Sequence, residues 1–428
     1  MSFLPAQLLA AFAVLQAQAP IQPLGDKLAA DNPVAEDPIE AVAPRGGLHG
    51  LVAHSRYDAP SHRFLYKVAG KGHADGASDE LPLTWDPELQ IPMQRLLDTY
   101  QAPLVQMVAL DPATGRVLAA IESQSAAPEA AQVCKGAFND GLFPAASVFK
   151  LVTASALLAR GVDPDEEICF HGGKHRIDTR EMEDNERRDG RCDTLSQAVA
   201  KSANVAIAKL AERNLDPVWL RDFASRLLFG RALPGDFSVP ASIADIPDEP
   251  FAFAQTAAGF GDVRLSAFHG AALAAAIANG GVMVPLRTFE VPLADAPDAN
   301  ADGDGDAAEA ATESPGPVQV LEPELAQTLA GMMRMAVTDG TARRAFRFRG
   351  AKALEACGKT GSLADKKPFR DYSWFVGFAP ETDPKIAVAT LVVNGPKWKV
   401  HASALAAAAI RTYLKEVSTV GRQLTAVK

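Results

Sequence analysis

Two pairs of strand-like apolar runs, set far apart along the chain, constrain its fold more than any other feature. Leu104 to Leu110 and Arg116 to Ile121 are separated by Asp111-Pro112-Ala113-Thr114-Gly115, a turn-forming cluster, so they read as a hairpin. Tyr372 to Phe378 and Lys385 to Val393 read as two more strands, and the Ala-rich stretch from His401 to Val417 reads as a helix. With the strands flanking Lys359, these runs predict one antiparallel sheet built from both ends of the chain. The intervening 150 to 290 region carries helical pattern and supplies an inserted lobe. The expected class is therefore α+β, an antiparallel sheet flanked by helices with a mostly helical lobe inserted.

With 428 residues, 48% of them hydrophobic and 22% charged, the chain can bury one large core or two lobes. A net charge of -10 argues against a nucleic-acid partner, and no Lys/Arg block suggests an electrostatic membrane anchor. Residues 1–19 hold an apolar run from Leu8 to Leu15 followed by Ala17-Gln18-Ala19, which reads as a cleavable export signal. An uncleaved anchor and a plain amphipathic N-terminus are the other readings of this segment. Residues 20–80, rich in Pro, Ala, Asp and Gly, read as a linker or a small irregular pedestal, and the main domain is expected over 81–420.

An acidic insert, 295–317, has almost no large apolar residue and is expected to be disordered. Within it Asp298, Asn300, Asp302, Gly303, Asp304, Asp306 and Glu309 match the spacing of a calcium-binding loop. Pro292, Pro297 and Pro315 stand where the flanking helices belong, so low complexity is the preferred reading and no metal is assigned. Of four cysteines, Cys169 and Cys192 bracket a charged stretch that gains from a staple in an oxidising compartment, and a disulfide is the leading reading. A zinc set of Cys169, His171, His175 and Cys192, or free thiols, are the alternatives. Cys134 and Cys357 have no evident partner.

Three motifs, each weak alone, follow in a fixed order: Ser147-Val148-Phe149-Lys150, Ser202-Ala203-Asn204 and Lys359-Thr360-Gly361-Ser362. The segment from Ser147 to Gly161 has apolar residues at helical spacing, placing Ser147 at or just inside a helix N-terminus with Lys150 one turn away on the same face. A lysine there opposes the helix dipole and is a poor choice for stability. It suits chemistry instead: the positive helix end and an apolar surround lower its pKa, so neutral Lys150 can take the proton of Ser147. Helical pattern on both sides, Thr194 to Lys201 and Val205 to Arg213, puts Ser202 and Asn204 on a tight connection. Ser202 is expected to relay a proton and Asn204 to hydrogen-bond a substrate amide. Along a strand, Lys359 and Gly361 share one side and Thr360 and Ser362 the other. The cation and hydroxyls suit a substrate carboxylate, Gly361 keeps the strand low, and the Ser362 N–H is a candidate second oxyanion donor. Without the conjunction, helix caps and an edge-strand lysine account for the same residues.

Together these motifs resemble the transpeptidase domain of penicillin-binding proteins. The resemblance extends over 81 to 417 through Leu83-Thr84-Trp85-Asp86 with Leu89-Gln90, Val108 to Pro112 with Thr114 to Ala119, and Gly259-Phe260-Gly261. Further landmarks are Ala276 to Gly281, Asp339-Gly340-Thr341-Ala342 and Trp374 to Pro380. It implies a cell-envelope D,D-transpeptidase acting on D-Ala-D-Ala-ended peptidoglycan stem peptides: Ser147 attacks, D-Ala leaves, and a neighbouring amine resolves the acyl-enzyme. β-Lactams are implied as covalent inhibitors, cell-wall synthesis proteins as possible partners, and no cofactor is called for. A D,D-carboxypeptidase, a serine β-lactamase and a non-catalytic scaffold or β-lactam-binding protein are the alternatives. The Glu/Asn pair four apart that one β-lactamase class uses for deacylation follows the second motif, whereas Glu181 and Asn185 precede Ser202.

Overall fold

The computed structural model describes residues 47–68, 80–127, 130, 141–173, 177–290, 316–347 and 354–426. The expected export signal, Cys134, His175 and the calcium-like set from Asp298 to Glu309 lie outside them.

Helix α1 (Pro87–Tyr100) leads into strands β1 (Leu104–Leu110) and β2 (Val117–Gln124). Asp86 caps α1 by accepting from the Glu88 N–H, with Pro87 at the first helical position where its missing N–H costs nothing. The lobe then provides α2 (Lys150–Ala159), α3 (Leu195–Lys201), α4 (Asn204–Asn214), α5 (Ala267–Ala278) and α6 (Pro323–Thr338). The chain returns through β3 (Cys357–Lys366), β4 (Phe369–Ala379) and β5 (Ile386–Asn394) to helix α7 (Ala402–Ala426). The five strands form one antiparallel sheet in the order β3-β4-β5-β1-β2, so β5 pairs with β1 across the two ends of the chain.

Alternation sorts the sheet's side chains between two cores. On β5, Ala387, Ala389, Leu391 and Val393 join the core shared with the lobe. Ile386, Val388 and Val392 join the opposite core, with Leu89, Met93 and Leu97 of α1 and Leu405 and Ile410 of α7. Every residue of β1 and β5 is buried, which explains why both are predominantly apolar. Helix α5 lies close on the sheet because Gly270 has no side chain: a Cβ there would stand 3.0 Å from Ala389 Cβ. Helix α6 packs along the edge strand β3 and against α3 and α2, which closes the lobe over that edge.

Residues 47–68 are more ordered than the linker or irregular pedestal expected of 20–80. A helix, Gly47–Ala53, precedes strands Ser55–Asp58 and Arg63–Lys67, which pair with Glu80–Pro82 in a three-stranded antiparallel sheet. The reason is apolar burial. Leu48, Leu51, Phe64 and Tyr66 join the main core, with Phe64 against Trp85 at 5.3 Å between ring centroids and Tyr66 edge-on to Phe289 at 5.7 Å. Cys169 and Cys192 face each other on the paired strands Glu167–Phe170 and Arg191–Thr194 and form a disulfide. That pairing removes the zinc and free-thiol readings, since it consumes two of the four proposed ligands. Cys357 is a buried free thiol.

Candidate active site

Strand Phe143–Pro144 pairs with Val263–Leu265, and the Ala145 N–H donates to the Val263 carbonyl at 2.8 Å, fixing the approach to Ser147. Ala146 then takes a left-handed conformation (φ 49°), unusual for a residue with a Cβ, and the chain enters a 3-10 turn, Ala146–Phe149, that runs into α2. Ser147 stands at this junction, partly exposed, with Lys150 buried one turn on.

Lys150 is 0% exposed, and its Nζ lies 2.7 Å from Ser147 Oγ, 2.8 Å from Asn204 Oδ1 and 2.5 Å from the Ala258 carbonyl oxygen. Burial, reinforced by the charge of Lys359, holds its pKa well below the usual lysine range. Lys150 Nζ donates to Asn204 Oδ1 and the Ala258 carbonyl, and Ser147 Oγ is its third partner. That is the arrangement of a general base beside a nucleophile.

The second motif sits on the expected break. Helix α3 ends at Lys201, Ser202 is left-handed (φ 57°) and α4 begins at Asn204. The turn lets Ser202 and Asn204 face neighbouring parts of one site, which a continuous helix does not allow. Asn204 is more fully used inside the protein than the sequence suggested, since Oδ1 accepts from Lys150 while Nδ2 donates to the Gly173 carbonyl at 3.4 Å. Ser202 Oγ accepts from Lys359 Nζ at 3.0 Å.

On β3, Lys359 and Gly361 point inward and are buried, Thr360 is half-buried and Ser362 exposed. Lys359 also donates to the Thr360 carbonyl at 2.8 Å, and burial pulls its pKa down to about 7. Gly361 permits a close approach to the Ser147 turn: a Cβ there would lie 3.2 Å from both the Ala145 carbonyl oxygen and Val148 Cγ2. Trp374, opposite Gly361 on β4, donates from Nε1 to the Pro144 carbonyl at 2.8 Å and ties the strand to the same turn.

Three contributors were not assigned a role from sequence. The Ala258 carbonyl completes the lysine's partners. Gly259 (φ 91°) lies under the nucleophile turn, where a Cβ would stand 2.4 Å from the Ala146 carbonyl oxygen. Thr341 Oγ1 is 2.6 Å from Thr360 Oγ1, and its N–H donates to Ala200 at 3.2 Å, joining α6 to both the second and third motifs. Gly259 and Thr341 fall within stretches already notable as family landmarks. Glu181, considered for a hydrolytic role, spends both carboxylate oxygens on backbone N–H groups of Gly173 and Asp178, each at 2.9 Å. Among the described residues no His/Cys/Asp/Glu cluster could hold a metal ion.

A two-sided antiparallel sheet with an inserted helical lobe, and a serine beside a buried lysine at their junction, define a class of active-site-serine domains. The penicillin binding protein transpeptidase domain model matches residues 105–414, and the chain belongs to that family. The peptidoglycan D,D-transpeptidase PbpA of Mycolicibacterium smegmatis is 27% identical over 323 residues, covering 68% of this chain and 62% of that protein. The penicillin-binding protein PbpB of the same organism is 27% identical over 387 residues, covering 83% of this chain and 56% of its own. The chain thus spans less than two thirds of the length of these relatives. In structure, it is similar to PBPA from Mycobacterium tuberculosis with a TM-score of 0.57 at 22% identity, over 78% of this chain and 81% of that one. The D,D-transpeptidase domain of a peptidoglycan glycosyltransferase from Eggerthella lenta gives 0.60 at 20% identity, over 82% and 95%.

Proposed function

We propose that this chain is a penicillin-binding D,D-transpeptidase that cross-links peptidoglycan stem peptides through a Ser147 acyl-enzyme and is inhibited covalently by β-lactams. The observation that carries the reading is the contact of buried Lys150 with Ser147 Oγ at 2.7 Å, its other partners being Asn204 and Ala258. Neutral Lys150 accepts the Ser147 proton as Oγ attacks the carbonyl of the penultimate D-Ala. Backbone N–H groups at the Ser147 turn and at Ser362 hold the oxyanion. As the C–N bond breaks, the proton held by Lys150 passes by way of Ser202, itself held by Lys359, to the departing D-Ala amine, which returns Lys150 to the neutral amine. Attack of an amine from a neighbouring stem on the ester then frees Ser147, with Lys150 again handling the proton. Lys359 and the hydroxyls of Thr360 and Ser362 receive the substrate carboxylate. PbpA is named a peptidoglycan D,D-transpeptidase, and the M. tuberculosis PBPA structures include penicillin G and imipenem acyl-enzymes, which supports both halves of the reading.

The Cys169–Cys192 disulfide supports an oxidising compartment, and we place the protein in the cell envelope, periplasmic where the envelope has one. Among the described residues no helix is long and apolar enough to cross a membrane. Cell-wall synthesis proteins are the partners this placement suggests. Intact mass after exposure to penicillin, with Ser147→Ala alongside, tests the reading. A lasting adduct absent from the variant is expected. Adduct on the variant overturns the nucleophile, and rapid return to free enzyme with ring-opened drug makes the protein a β-lactamase.

A further inference from the structure

The base Lys150 is oriented by Asn204, and Asn204 is itself held from behind. Its Nδ2 donates to the carbonyl of Gly173, and the Gly173 N–H donates to Glu181 Oε1 at 2.9 Å, while Oε2 accepts from Asp178 N–H at 2.9 Å. The backbone is shaped for this contact. Gly172 and Gly173 are both left-handed (φ 67° each), and neither has room for a side chain. A Cβ at 172 would lie 1.9 Å from Glu181 Oε1, and one at 173 would lie 2.3 Å from Val205 Cγ2 on α4.

The surrounding segment is pinned by other means. The disulfide closes its base, and Lys209 of α4, 1% exposed, reaches Asp184 Oδ1 at 3.0 Å and Asp189 Oδ2 at 3.6 Å. Gln255 Nε2 donates to the Ile177 carbonyl at 3.4 Å. With the frame held at these points, the Glu181 carboxylate is left to hold the Gly172–Gly173 peptide by its N–H, adjoining the Gly173 carbonyl that meets Asn204.

We propose that Glu181 is a positioning residue for acylation, acting through Gly173 and Asn204 on the orientation of Lys150. The inference rests on the acyl-enzyme reading above. Losing the carboxylate frees the Gly172–Gly173 peptide, Gly173 and its carbonyl shift with it, Asn204 loses its rear support, and Lys150 is no longer aimed at Ser147 Oγ. A misplacement of this size slows the chemical step and leaves the reversible encounter with the lactam nearly intact.

The test measures the acylation rate constant and the reversible dissociation constant separately, by stopped-flow with a chromogenic cephalosporin on the full chain, with adduct stoichiometry from intact mass. Glu181→Ala is expected to lower the acylation rate constant by about 10- to 10²-fold at full stoichiometry, with the dissociation constant changed by less than about threefold. Glu181→Gln keeps an acceptor for Gly173 and is expected to recover most of the rate. An unchanged rate constant in Glu181→Ala, or a Gln variant no better than Ala, overturns the proposal, as does a fall in stoichiometry at an unchanged rate, which marks a purely structural role. Should Glu181→Ala fail to fold, Glu181→Asp, one methylene short of the Gly173 N–H, carries the same expectation. A wild-type protein that forms no adduct at Ser147 overturns the acyl-enzyme reading itself, which separates the two failures.

Discussion

Lys150 and Lys359 are both 0% exposed, yet they are asked for opposite protonation states. Burial acts on both, and repulsion by Lys359 adds to it for Lys150, so Lys150 gives up its proton first. Lys359 stays a cation until pH passes about 7. Acylation efficiency with a carboxylate-bearing lactam is therefore expected to fall as pH rises above about 7, while a lactam without that carboxylate shows no such limb; parallel pH profiles check this. Lys150→Ala should slow acylation by more than the ~10²–10⁴ usual for one general base, because the same change leaves Asn204 Oδ1 and the Ala258 carbonyl without their donor. Cys357, buried with its thiol pushed up to about 12, is expected to resist iodoacetamide at pH 8 until the protein is denatured, as peptide mass mapping will read. The side chains of the three motifs were legible from order and spacing. The Ala258 contribution was not, because a carbonyl is the same in every residue, and the Thr341–Thr360 contact exists only once α6 meets β3.

Elements meet at glycines, and the two beneath Ser147 are unequal. At Gly361 an added Cβ meets atoms at 3.2 Å, a gap neighbours can widen by small shifts, whereas at Gly259 it meets a carbonyl oxygen at 2.4 Å in a left-handed backbone. Gly361→Ala should lose less of the acylation rate than Gly259→Ala, which should lose ~10²-fold by displacing the nucleophile turn; paired rates from stopped-flow decide. Opening the Cys169–Cys192 staple as a double serine variant is expected to cost about 3 kcal/mol in urea unfolding, from the chain closed by residues 23 apart. Strands β1 and β5 were legible because each is predominantly apolar. The hairpin at 55–67 was not: Arg63-Phe64-Leu65-Tyr66-Lys67 alternates over only five residues, and its meaning depends on Trp85 and Phe289, far along the chain.

At the scale of the molecule, the N-terminal hairpin is part of the main core, and Phe64→Ala is expected to destabilise the whole domain by about 3–5 kcal/mol, read from denaturant unfolding. The two-ended sheet was foreseeable because its halves carry matching strand runs. Its order was not, since period-two patterning reports faces and leaves neighbours undecided. That order also sets a timetable for biosynthesis. Residues 104–110 pair early with 117–124 but find their second partner only in 386–394, and Lys359 reaches Ser202 only when β3 is laid on β4. A nascent chain that stops short of β5 has the serine and the lysine of its first motif but no floor to hold them against the third. On the acyl-enzyme reading, covalent capture of a fluorescent penicillin is expected only after β5 has joined the sheet, so pulse-labelled cells exposed to the dye should report maturation of this fold in real time.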